Sequence, residues 1–129
     1  MEIVQDKPTI IVDTSHNKEG LEITLDEIHE KYKGEIYCIF GSTNEREVNA
    51  GFMNIFNHTH LYFCTFSNER SKTVEDWNII NVTLNQSIEI HTDINPLFNE
   101  VRAKLSPNDV LLVTGSFFLL SDLNFKSNK

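Results

Sequence analysis

The feature that most restricts this chain is an alternation of short apolar runs with segments of helical periodicity. The runs are residues 9–13 (Thr-Ile-Ile-Val-Asp), 36–40 (Ile-Tyr-Cys-Ile-Phe), 60–66 (His-Leu-Tyr-Phe-Cys-Thr-Phe) and Val110-Leu111-Leu112-Val113 after Asp109. Strands that stay apolar on both sides belong to sheets covered on both faces, and such sheets are mostly parallel. Parallel neighbours need crossover connections, usually helices, and the intervening segments supply them. Residues 19–32 carry Leu21, Leu25, Ile28 and Tyr32 at helical spacing before Gly34 stops them. Residues 45–56 carry Val48, Phe52, Ile55 and Phe56, and residues 71–77 read as a short helix. From Asp93, the residues Ile94, Leu97, Val101 and Leu105 mark a further helix with Pro96 in its first turn. Between them, Ile79-Ile80-Asn81-Val82 either ends the preceding helix or begins a hairpin, and Ile88-Glu89-Ile90-His91 alternates like an edge strand. The expectation is an α/β fold: a three-layer Rossmann-like domain with a mostly parallel sheet and helices on both faces.

At 129 residues the chain suits one domain with a real core, so residues 1–129 are read as a single unit. A formal net charge of -8 argues against non-specific binding to nucleic acid or anionic membrane, whose phosphates it repels. No apolar run approaches the roughly 20 residues of a membrane span. The first residues lack a basic region followed by an apolar stretch, so the chain reads as cytoplasmic. Cys38 and Cys64 each sit inside an apolar run and read as small buried hydrophobes. His58-Thr59-His60 places two histidines on one side of a strand, and Glu89 with His91 does the same. Neither pair has a third ligand nearby, so no metal is expected there.

Polar residues gather where two apolar runs end. The first run leads into Asp13-Thr14-Ser15-His16-Asn17 and then a helix. The last leads into Thr114-Gly115-Ser116-Phe117. In open α/β sheets ligands bind outside the carboxyl ends of strands, where such turns place polar groups at helix N-termini. The same residue types also serve as ordinary helix caps, and both readings stand at this level.

The two motifs, in this order and spacing, resemble the C-terminal domain of the folylpolyglutamate synthase/dihydrofolate synthase family of Mur-type ligases. In that family the first strand ends in Asp-Gly-Ala-His-Asn and the last in Thr-Gly-Ser followed by an aromatic-rich apolar run. Asp13, His16 and Asn17 match, Thr14 and Ser15 depart, and Val113 to Phe117 match closely. The resemblance implies a ligase in which ATP, with Mg²⁺, phosphorylates a folate or pteroate carboxylate and the glutamate amine then displaces phosphate. It implies that Asp13, His16 and Asn17 lie on the nucleotide side of an interdomain cleft, with Ser116 and Arg70 toward the substrate. The central ATPase domain of such enzymes carries the phosphate loop and metal ligands. No Gly-x4-Gly-Lys-Ser/Thr loop occurs in this chain, so it is expected to be inactive alone. By the same resemblance the chain starts just after the family's interdomain linker, whose Arg has no counterpart. Where the family has a Lys-Asp-Lys-Asp-like run, Thr43-Asn44-Glu45-Arg46-Glu47 retains only Arg46 as a cation. The competing expectations are a free-standing, non-catalytic interaction or small-ligand module derived from that domain, and a likeness of fold alone, as in receiver domains.

Overall fold

The computed structural model describes residues 1–15 and 17–124. Six strands form one sheet in the order β1-β2-β6-β3-β4-β5. They are β1 (Glu2–Gln5), β2 (Thr9–Asp13), β3 (Ile36–Phe40), β4 (His60–Cys64), β5 (Glu89–His91) and β6 (Val110–Thr114). β1 pairs antiparallel with β2, and every other pairing is parallel. The helices are α1 (Lys18–Lys31), α2 (Ala50–Met53) with a 3₁₀ turn over Asn54–Phe56, α3 (Val74–Thr83), α4 (Ile94–Lys104) and α5 (Phe117–Asp122). None is long and apolar enough to cross a membrane.

Crossover handedness explains the layers. From β2 through β3 and β4 to β5 the chain steps in one direction across the sheet, so right-handed crossovers put α1, α2 and α3 on one face. There Leu21, Leu25, Ile28, Phe52, Phe56 and Trp77 pack on Ile11, Cys38, Phe63 and Leu112. From β5 the chain returns to insert β6 between β2 and β3, which sends α4 to the opposite face. There Leu97, Phe98, Val101 and Leu119 pack on Ile10, Ile39, Leu111 and Val113. Successive strand residues thus feed alternate cores, which is why the runs are apolar throughout. The same alternation puts Cys38 in one core and Cys64 in the other, both as free buried thiols.

Three elements differ from the sequence expectation. The helix expected over residues 45–56 forms only from Ala50, because Asn49 caps it by accepting from the Phe52 N–H at 2.9 Å. Residues before it pair elsewhere: the Asn44 N–H donates to the Arg70 carbonyl, and Thr43 bridges Ser71. The short helix expected over residues 71–77 starts later and runs on to Thr83. Thr73 and Asp76 form a reciprocal capping box at its start. The sheet also gains an edge strand that the sequence did not show, β1, while the edge strand expected over residues 88–91 forms as β5.

The edge at β5 is held by Asn81, whose side-chain amide accepts from the Ile88 N–H and donates to its carbonyl. Asn81→Ala removes both partners of a backbone segment that no other strand covers. The expected cost is about 2 kcal/mol, read as a lowered urea midpoint with unchanged slope.

Candidate functional site

The carboxyl ends of β2, β6 and β3 lie side by side, with Asp13 opposite Thr114 and Thr114 opposite Phe40. The chain leaves β2 toward the face of α1 and leaves β6 toward the face of α5. Loops that part in this way open a crevice at the topological switch point of the sheet. The two sequence motifs therefore meet at one edge of the molecule.

Asp13 is 4% exposed and its carboxylate holds the first loop together. Oδ1 accepts from the Ser15 N–H and the Ser15 hydroxyl, both at 3.0 Å, and the Met1 ammonium lies 3.7 Å away. Oδ2 accepts from the Thr24 hydroxyl at 2.6 Å, which ties the strand end to the inner face of α1. Burial is the strongest single influence on this carboxyl and acts to raise its pKa. The hydrogen bonds from Thr24 and Ser15, with the nearby ammonium, outweigh it and hold the group below its ordinary value. Asn17 caps α1 by accepting from the Gly20 N–H at 2.8 Å. His16 lies outside the described residues.

Across the crevice Ser116 caps α5, accepting from the Phe118 N–H at 3.1 Å, and no acceptor for its own hydroxyl proton is found among the described residues. Gly115 before it adopts φ +114°, which lets the β6–α5 loop lie against the Gly41 carbonyl. The Thr114 hydroxyl is fully buried without a hydrogen-bond partner among the described residues. Arg70 stands on the loop after β4, exposed at its side chain while its backbone is fixed at both ends. Its N–H donates to Asn68 Oδ1 at 2.8 Å and its carbonyl accepts from the Asn44 N–H. The loop itself is anchored by Asp122, whose carboxylate accepts from the Ser67 N–H and hydroxyl.

Comparison with known proteins resolves the family. Residues 1–117 match the model of the Mur ligase, glutamate ligase domain. The chain belongs to this family. The dihydrofolate synthase/folylpolyglutamate synthase of Bacillus subtilis strain 168 is 22% identical over 125 residues, 95% of this chain and 29% of that protein. The chain thus spans under a third of the length of the curated relatives that it matches along most of its length. The fold matches that of the Yersinia pestis bifunctional folylpolyglutamate synthase/dihydrofolate synthase complexed with AMPPNP and Mn ion. The TM-score is 0.79 at 16% identity, covering 93% of this chain and 28% of that one. It also matches E. coli FolC in complex with ADP, with a TM-score of 0.76 at 20% identity over 93% of this chain and 29% of that one.

Within this family domain, sequence reasoning missed two residues that the geometry brings to the site. Thr24 was legible in principle, because a hydroxyl on the inner face beside Leu21, Leu25 and Ile28 needs a buried acceptor. Lys72 is 4% exposed and donates from Nζ to the Arg46 carbonyl, joining the loops after β3 and β4. Nothing local in the sequence signals its burial. His60 and His91 lie away from the crevice: His60 pairs with Glu35 at 2.7 Å and stacks on Tyr37, and His91 meets Glu89 at 2.9 Å.

Proposed function

We propose that the chain is the C-terminal, nucleotide-closing domain of an ATP-dependent ligase of the folylpolyglutamate synthase/dihydrofolate synthase type. Such an enzyme adds glutamate to a folate or pteroate carboxylate through an acyl phosphate, and this chain is not catalytic alone. The observation that carries the reading is the meeting of the Asp13 and Ser116 loops at one switch-point crevice. The relatives' names, as dihydrofolate synthase/folylpolyglutamate synthases, supply the substrate class.

In this reading the loop from Asp13 to Asn17, with His16, faces the nucleotide. Asp13 acts by holding that loop, since three intrachain donors and the Met1 ammonium already occupy its carboxylate. The Ser116 hydroxyl proton and the planar Arg70 guanidinium face the glutamate, whose carboxylates accept from both. ATP with Mg²⁺ supplies the activated phosphate when bound. By the family resemblance, the metal ligands lie on the opposite wall. That wall is the central ATPase domain, on the same or a separate chain.

The test combines this chain with the phosphate-loop portion of the ligase from the same cell and measures ADP formation with folate or pteroate and glutamate. The chain alone is expected to form no ADP, and the combination to form it only with both substrates present. Arg70→Ala is expected to raise the glutamate KM about tenfold, with the ATP KM unchanged. ADP formation by the chain alone, or a combined activity indifferent to both Arg70→Ala and Ser116→Ala, would overturn the proposal.

A further inference from the structure

Three lysines gather around one cavity at the amino ends of β2, β6 and β3, the pole opposite the crevice. The cavity encloses about 320 Å³, and its lining includes Lys7 on the β1–β2 turn with Lys31 and Lys33 at the end of α1. None of these ammonium groups forms an ion pair among the described residues, in a chain with 19 carboxylate side chains against 11 basic ones. Asp6 is the one carboxylate among the described lining residues. Helix electrostatics accounts for part of the cluster. Lys31 suits the negative end of the α1 dipole and lies 5.4 Å from the Tyr32 ring centre. That end carries about half an elementary charge, less than the excess of ammonium groups. Lys7 belongs to another element and sits at φ +51°, a conformation that glycine or asparagine adopts at lower cost. Backbone preference therefore does not explain a lysine at that turn.

The floor adds an independent observation. Thr9 lines the cavity at 5% exposure, and no partner for its hydroxyl is found among the described residues. Strand alternation sets that side chain on the face of Ile11, the face that α1 covers. The backbone around it is fixed. Asp109 Oδ1 accepts from the Glu35 N–H at 2.9 Å and Oδ2 from the Ser106 N–H at 2.8 Å, while its carbonyl accepts from the Thr9 N–H at 3.2 Å. At Gly34 the chain passes so close to the Asn108 carbonyl that a Cβ would collide with it. A fixed concave surface with an excess of ammonium groups concentrates a ligand of opposite charge.

We propose that this cavity binds a compact polyanion, a small molecule carrying two or more phosphate or carboxylate groups. The site lies beyond the ligase reading, because the Asp13 and Ser116 loops stand at the other end of the same strands. Lys7, Lys31 and Lys33 meet the charged oxygens, and the Thr9 hydroxyl donates to one of them at the floor.

The isotopically labelled chain is titrated with inorganic triphosphate, with citrate and with sodium chloride at matched ionic strength, without divalent metal. At least one polyanion is expected to give saturable amide shifts at residues 6, 7, 9 and 31–34 that chloride does not reproduce. The tighter of the two identifies the charged group that the site takes. Lys7→Gln and Lys33→Gln are each expected to raise the apparent Kd about fivefold, and the double variant to raise it further. Both side chains are exposed, so the variants keep the fold, checked by unchanged amide positions elsewhere. No saturable shift with either polyanion, shifts confined to residues 14–17 and 114–117, or an unchanged Kd in both variants would overturn the proposal. Shifts confined to those two loops would leave the ligase reading standing, so the two proposals fail separately.

Discussion

Gly115→Ala is expected to destabilise the chain by about 4 kcal/mol, lowering its thermal midpoint by more than about 10 °C. Two costs add. At φ +114° a residue with a Cβ is strained whatever the surrounding space. The Cβ itself would run into the Gly41 carbonyl oxygen and approach Phe40 Cδ1 to 2.6 Å. Neither obstacle is the free end of a flexible side chain: one is backbone and the other a ring packed against Phe52, Phe56 and Trp77. Relief requires moving the β6–α5 loop away from β3, which opens the crevice beside Ser116. Urea unfolding of the purified variant measures the effect, and a loss below about 1 kcal/mol would show that the loops do not approach this closely.

Asp13→Ala is expected to cost about 3 kcal/mol at neutral pH. It leaves the buried Thr24 hydroxyl without its acceptor and frees the Ser15 N–H and hydroxyl. The pH dependence gives a sharper test. The folded state holds this carboxyl below its ordinary pKa, so the folded state binds fewer protons than the unfolded state wherever the two differ. Its stabilisation is therefore full above the ordinary carboxylate range and disappears as pH falls through that range toward the lower folded value. The difference between wild type and Asp13→Ala is expected to be constant near neutrality and to shrink below about pH 4. A difference that grows on acidification would contradict the hydrogen-bonding seen around Asp13.

What the sequence disclosed follows from the range over which each feature is determined. β2, β3, β4 and β6 were legible because each is buried on both faces, and its own residues show it. β1 and β5 are short edges with weak local patterns: β1 offers only Ile3 and Val4 as apolar residues in a hairpin with β2, and β5 depends on the more distant β4. The stretch before Asn49 carries helix-forming charges in Glu45, Arg46 and Glu47. Its backbone is nevertheless taken up by the loop around Arg70, a contact no local pattern encodes. At the site, the capping roles of Asn17 and Ser116 were readable from residue type and position. The exposed Arg70 was singled out through the family resemblance, and the structure sets it on a tightly anchored turn. Lys72 was not legible, because a lysine reads as solvated until two loops close over it. The family resemblance rested on two strand-end motifs, and the family match over residues 1–117 agrees with it.

The central claim is that the edge bearing Asp13, Arg46, Arg70 and Ser116 is one wall of a cleft completed by an ATPase domain. The direct measurement is an NMR titration of the isotopically labelled chain with the phosphate-loop portion of the ligase from the same cell, in the presence of ADP and Mg²⁺. Amide shifts are expected in the loops at residues 14–17, 41–46, 67–72 and 114–117. Absence of binding, or shifts confined to the opposite pole around Lys7, Tyr32 and Pro107, would contradict the account.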